Sequence, residues 1–126
     1  MTNEYLAYPP DLTVGEAVAR FREEAPEIEA VYHIYLVEDE KLRGVIDLRD
    51  LILADASRKL NELERATLIT VQPEAGQKEV AELISKYNLL ALPVVDGENC
   101  LLGVVTVDDV VDLLLPPASR RKRRKM

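Results

Sequence analysis

The chain repeats itself, and that constrains its architecture more than any other feature. Laying Glu16-Ala17-Val18 on Glu79-Val80-Ala81 brings two halves into parallel, and self-similarity of this kind marks a fold assembled from copies of one unit. Each half opens on a short apolar stretch ending in proline, Leu6-Ala7-Tyr8-Pro9 and Leu68-Ile69-Thr70-Val71-Gln72-Pro73. Each then continues as an amphipathic helix. Val14, Ala17, Val18 and Phe21 stand at i, i+3, i+4 and i+7, as do Val80, Leu83, Ile84 and Tyr87, the spacing of one apolar helix face. Thr13 and Glu16 have the spacing of a capping box, which predicts a helix start.

Two strands follow in each half. The first half has them at 31–37 and 42–46, the second at 91–95 and 101–105. The polar turns Glu38-Asp39-Glu40-Lys41 and Asp96-Gly97-Glu98-Asn99 between them predict hairpins. Gly44 and Gly103 each sit inside a second strand, which predicts a bulge or a close backbone approach. Each half ends in a short helix opened by acid, Asp47-Leu48-Arg49-Asp50 and Thr106-Val107-Asp108-Asp109. The order is therefore β-α-β-β-α, twice, a mixed α/β (α+β) class. A unit of about 50 residues has too little core to stand alone, so two such units should pack sheet to sheet. The predicted organisation is a first unit at 2–55, a connector at 56–66, a second unit at 67–115 and a disordered basic tail at 116–126. Leu60 and Leu63 are candidates for one helical turn in the connector.

Charge and composition exclude several roles. Of 16 basic residues, six form the run from Arg120 to Lys125. The rest of the chain holds 10 basic and 23 acidic residues, and so acidic a body repels phosphate backbones. With no tryptophan and one phenylalanine it offers few stacking platforms for single strands. One cysteine, Cys100, forbids an internal disulfide and points to a cytosolic setting. No apolar run reaches membrane-spanning length: the best candidate, 101–115, is interrupted by Asp108, Asp109 and Asp112. The N-terminus has no basic-then-apolar secretion pattern. Nucleophile elbows, P-loops, HExxH and cysteine pairs are all missing, and Cys100 shares the chain with a single histidine, so catalysis is not expected.

Leu92-Pro93-Val94-Val95-Asp96, Leu102-Gly103-Val104-Val105-Thr106 and Asp109 carry a recognisable pattern. The chain resembles a tandem pair of cystathionine β-synthase (CBS) domains, a Bateman module. More narrowly it is similar to the cytosolic CBS pair of MgtE-type magnesium transporters, through Ile34-Tyr35-Leu36-Val37, Leu48-Arg49-Asp50-Leu51-Ile52, the stretch from Tyr87 to Pro93 and that from Thr106 to Asp112. The resemblance covers about 2–115. It implies two units related by pseudo-twofold symmetry, a homodimer of such pairs, a regulatory role and no catalysis.

The two acid-ended turns are the leading chemical candidates. A carboxylate at a helix start can accept both hydroxyls of a ribose, while a preceding hydroxyl and free N–H groups hold a phosphate. The resemblance gives Thr106 and Asp109 this role in the second unit. In the first, Asp50 is retained but Asp47 replaces the hydroxyl, and its carboxylate should repel a phosphate placed there. The plain alternative is that both turns are ordinary N-terminal caps. Carried over by resemblance, an adenine-nucleotide site (ATP, ADP or AMP) comprises His33, Arg49, Asp50, Ile69, Leu89 and Pro93. Asp50 would hold the ribose and Arg49 approach the phosphates, with Ile69, Leu89 and Pro93 walling the base. His33 stands where tyrosine is usual and Leu89 where an aromatic is common, which implies weaker binding. The alternative for His33 is a half-buried strand residue bonded to backbone.

Divalent metal is the second candidate, since Mg²⁺ takes oxygen ligands and keeps several waters. The expected acidic set is depleted. Gly76-Gln77-Lys78-Glu79 replaces Asp-Gln-Glu-Glu, Tyr87-Asn88 replaces Tyr-Asp, and Leu115-Pro116-Pro117 stands where an acidic run is usual. Asp109 and Asp112 remain as metal candidates, against the reading of a solvated acidic surface. Pro116-Pro117 should end the last helix. The basic run beyond it could contact anionic lipid, nucleic acid or an acidic partner, or simply be solvated.

The reading is thus a non-enzymatic, cytosolic regulatory pair that dimerises, needs no cofactor and takes an adenine nucleotide. Its rival is the Mg²⁺-sensing gating fragment of a magnesium transporter, with a membrane domain as partner. Met1-Thr2 stands where that family carries Met-Thr internally, which fits a fragment, while the tail diverges where a linker to the membrane helices would begin. A third reading is a protein-interaction module without a small ligand.

Overall fold

The computed structural model describes residues 5–24, 33–64 and 67–107. The expected start of the first hairpin at 31–32, the last helix beyond Val107, the basic tail, Asp109 and Asp112 lie outside these residues.

The first unit is a three-stranded sheet with helices packed on it. Strand β1 (Leu6–Tyr8) leads to helix α1 (Val14–Glu24), then to β2 (His33–Glu38), β3 (Lys41–Asp47) and α2 (Leu48–Leu53). The sheet order is β1-β2-β3, with β1 parallel to β2 and β2 antiparallel to β3. Helix α1 starts where the capping box predicts. The Glu16 backbone N–H donates to Thr13 Oγ1 (3.2 Å), and the Thr13 backbone N–H donates to Glu16 Oε1 (3.0 Å). The Thr13 N–H, and the Thr13 hydroxyl that donates to the same Oε1 at 3.0 Å, hold the Glu16 carboxyl below its ordinary range. The β2–β3 turn places Asp39 and Glu40 at φ 54° and 68°, the left-handed pair that a two-residue hairpin loop demands.

The second unit has helix α3 (Gln77–Tyr87) and the hairpin of β4 (Ala91–Val95) and β5 (Leu101–Thr106). Its expected leading strand is reduced to one bridge: the Val71 N–H donates to Pro93 O (3.1 Å) and the Val95 N–H to Val71 O (2.8 Å). The reason is chemical. The next rung in a parallel ladder would need an N–H from residue 93, and proline has none.

Three apolar clusters form the core. Leu6, Tyr8, Val14, Ala17, Ile34, Leu36, Ile46, Leu51 and Leu60 fill the space between the first sheet and its helices. Val71, Val80, Ile84, Leu92 and Val94 do the same around α3. Between them Tyr35, Leu42 and Val45 meet Ala91, Val95 and Val104, so the two sheets pack face to face as the repeat requires. The hairpins are also joined at their turns. The Leu42 N–H donates to Asn99 O (2.9 Å), Asn99 Nδ2 donates to Leu42 O (2.7 Å), and Lys41 Nζ donates to Glu98 O (3.0 Å).

Details depart from the periodic reading. Tyr87, expected on the buried face of α3, is 39% exposed. It is the last helical residue, and Asn88 at φ 55° turns the chain away beneath it. Leu60 opens a single 3-10 turn (Leu60–Glu62) and is wholly buried in the first cluster, anchored by its N–H to Leu12 O (2.9 Å). Gly44 meets the bulge half of its expectation, while its close neighbour is the Glu64 side chain rather than backbone. The ladder shifts register between Leu36 and Val37, directly across from it, and a Cβ there would lie 2.6 Å from Glu64 Oε2.

Candidate ligand site at the hairpin ends

The β2–β3 register sets His33 directly opposite Asp47, three pairs along from the shift at Leu36. His33 is buried, and its Nε2 lies 3.3 Å from Asp47 Oδ1. Asp47 is the N-cap residue of α2 with extended backbone, yet its side chain makes no capping hydrogen bond. Its carboxylate faces the imidazole instead. Arg49 and Asp50 occupy the first turn of α2 and are exposed, so they are reachable from solvent at the end of the sheet.

The matching position of the second unit has different chemistry. There the register pairs Ala91 with Thr106, again three pairs from a shift, at Val94/Val95. Thr106 ends β5, and the Val107 N–H donates to Leu90 O (2.9 Å) as the chain enters its next turn.

The apolar residues expected to wall a base lie in the second unit. Ile69 and Leu89 both pack on the α3 cluster beside Leu92. The Leu89 N–H closes the end of α3 on Ile84 O (3.0 Å), which orients it toward the sheet. Pro93 is buried in the middle of β4 with its carbonyl accepting from Val71. The structure thus gathers His33, Arg49 and Asp50 at one hairpin end and Ile69, Leu89 and Pro93 around the other sheet. Asp109 falls outside the described residues. Two open depressions, about 520 and 530 Å³, lie elsewhere: one along Gln77, Lys78, Glu82 and Lys86, the other beside Thr70, Glu74, Glu79 and Asp96.

Two features escaped the sequence reading. One is the facing of His33 and Asp47, which counting outward from the turn past the shifted pair would have revealed. The other is Tyr35, read only as part of a motif. It is almost wholly buried between the sheets, edge-on to Tyr5 at 6.2 Å between ring centres and 6.3 Å from the His33 ring. Its hydroxyl has no hydrogen-bond partner among the described residues. Burial pushes its phenol well above the ordinary range. Among the described residues no group of three or more His, Cys, Asp or Glu side chains could hold a metal ion, and no helix is long and apolar enough to cross a membrane.

Against this geometry the comparisons with known proteins are decisive. The CBS domain profile matches residues 1–57 and again 60–116. The chain belongs to the CBS domain family. This CBS pair is 44% identical over 115 residues to the magnesium transporter MgtE of Thermus thermophilus and 39% identical over 119 residues to that of Bacillus subtilis, covering 90% and 94% of the chain. It spans 26% of the length of each. It superposes with a TM-score of 0.87, at 43% identity, on a structure of the cytosolic domain of the Mg²⁺ channel MgtE in complex with ATP, covering 90% of this chain and 46% of that one. The CBS pair of protein MJ0100, in complex with 5′-methylthioadenosine and S-adenosylmethionine, is 25% identical with a TM-score of 0.73 and covers 90% of each chain. The mixed α+β pair is therefore related to the cytosolic region of MgtE-type transporters. An inosine-5′-monophosphate dehydrogenase of Methanocaldococcus jannaschii also matches, at 28% identity over 126 residues and 24% of its length, so this family occurs within enzymes as well.

Proposed function

We propose that this CBS pair is a non-catalytic regulatory module at the cytoplasmic side of the cell that binds an adenine nucleotide and works as a homodimer. The observation that carries the reading is the acid-ended turn from Asp47 to Asp50, which presents Arg49 and Asp50 to solvent at the end of the first sheet. In this reading Asp50 accepts the ribose hydroxyls and Arg49 approaches the phosphates, two groups already presented to solvent on one helical turn. Ile69, Leu89 and Pro93 supply apolar area for the base. The relative of known structure that carries ATP supports the ligand class, and the adenosine-containing ligands of the MJ0100 pair support the adenine part. Thr106 and Asp109 stand at the corresponding sequence positions of the second unit.

Isothermal titration with ATP, ADP and AMP tests this. Heat with saturable binding is expected at millimolar nucleotide or below, and Asp50→Ala is expected to weaken it. Silence at millimolar concentration with all three removes the ligand claim, and unchanged affinity in Asp50→Ala relocates the site.

A second reading follows from the identity to MgtE transporters: the module gates a membrane-embedded partner in response to Mg²⁺, with Asp109 and Asp112 among the metal ligands. The Lys78 and Asn88 substitutions argue against a full ligand set. Melting temperature with and without millimolar Mg²⁺, nucleotide absent, separates the two readings.

A further inference from the structure

Tyr35 carries a hydroxyl into the apolar layer between the sheets. The residue is 2% exposed, and its hydroxyl has no hydrogen-bond partner among the described residues. It packs among side chains that cannot bond it, Val45 across the hairpin and Ala91, Val95 and Val104 of the second sheet. Enclosing a phenolic oxygen without a bond costs its desolvation, and a phenylalanine ring would fill the same space without that cost. The hydroxyl is accounted for if its partner comes from outside the chain. Two neighbours indicate which partner. His33 lies two residues earlier on the same face of β2, its ring 6.3 Å from that of Tyr35. Pro93 lies between Ala91 and Val95 in the alternation of β4, on the face that those two turn toward Tyr35.

Resting on the nucleotide reading above, we propose that the Tyr35 hydroxyl recognises the base of the bound adenine nucleotide by donating a hydrogen bond to one of its ring nitrogens. Adenine offers such acceptors on its edges, and a phenol has one proton to give. Burial holds that proton on the oxygen across the neutral range. The hydroxyl is closed from solvent in the unliganded chain, so the base reaches it as neighbouring side chains turn aside. Tyr5, edge-on at 6.2 Å and only partly buried, is one such neighbour, and side-chain rearrangement of this kind commonly accompanies binding. A base that lacks a ring nitrogen at the contacted edge leaves the hydroxyl unbonded, so the same group that favours adenine selects against its imitations.

The experiment compares the wild type with Tyr35→Phe, which keeps the ring and removes the oxygen. Without ligand, the melting temperature of Tyr35→Phe is expected to equal or exceed that of the wild type, because an unbonded hydroxyl stabilises nothing. Isothermal titration with ATP and with adenosine follows. Tyr35→Phe is expected to lose about three- to tenfold in affinity, the span of one neutral hydrogen bond. The factor should be the same for both ligands, since the contact is to the base they share. In the wild type, one of the 1-deaza, 3-deaza and 7-deaza analogues of adenosine should bind more weakly by a similar factor, and that difference should vanish in Tyr35→Phe. A lower melting temperature for ligand-free Tyr35→Phe means that the hydroxyl is already bonded in the free chain, and overturns the inference. Unchanged affinity for ATP and adenosine overturns it too, as does a loss confined to ATP, which places the effect at the phosphates. These three outcomes leave the nucleotide reading standing. Absence of binding by ATP and adenosine to the wild type overturns both.

Discussion

The two halves of this CBS pair are built on one plan and secured differently. In the first, a full leading strand lies beside the hairpin, and among the described residues Ile34, Leu36, Leu42, Ile46 and Leu51, with Leu60 of the connector, are the largest fully buried side chains on its side. In the second, Pro93 removes a rung, the leading strand shrinks to the Val71 bridge, and among the described residues Leu92 is the one such side chain. Among the described residues the first half is thus the better-packed frame, and the second meets it through the layer between the sheets and the clasp at the turns. The difference extends to the hairpin ends, where charge in one unit replaces a hydroxyl in the other.

The sharpest way to break this comparison uses Leu36 and Val94, which occupy matching positions. Leu36→Ala is expected to cost about 2–5 kcal/mol and Val94→Ala about 1.5–3 kcal/mol, read from urea unfolding. Equal losses would mean the halves are equally packed. Next in size is the clasp. Asn99→Ala loses the bond to Leu42 O and places alanine at φ 68°, for a cost of about 1–3 kcal/mol. Asn99→Gly keeps the backbone conformation and should cost less. A reversed order would show that the left-handed backbone at position 99 carries no strain for alanine. Helix starts give a smaller contrast. Thr13→Ala should cost about 1 kcal/mol by breaking the capping box, while Gly76→Ser should gain a few tenths, since α3 starts without a side-chain cap. Calorimetric melting of both variants checks the pair.

The smallest effect is on acid stability. The Cys100 and Glu98 backbone N–H groups, both donating to Asp96 Oδ1 at 2.9 Å, hold its carboxyl below the ordinary range. A carboxyl depressed in the folded state stabilises above its unfolded pKa of about 3.9, and that contribution is lost as pH falls through the folded value. Asp96→Asn should therefore flatten the fall in stability below about pH 4. An unchanged acid limb would show that the second turn does not depend on its carboxylate.

Much of the architecture was legible because it is local. Helix α1 announces itself by the spacing of Val14 and Ala17 and by Thr13 with Glu16, and both hairpins by polar turns between β-branched runs. The site was legible in part. The acid-ended turn at Asp47–Asp50 stood out as a charged interruption, whereas the facing of Asp47 and His33 did not, because pairing across a hairpin depends on where the register shifts.

By itself the sequence determined the repeat, the order β-α-β-β-α and the need for two units to share a core, since periodicity and unit size follow from the chain alone. Only the tertiary structure decided that Leu60 of the connector completes the first core, that Pro93 cuts the second sheet short, and that His33 meets Asp47. Each of these depends on which groups lie opposite one another in space, and a ladder missing one N–H or shifted by one residue changes that partner without changing the pattern along the chain.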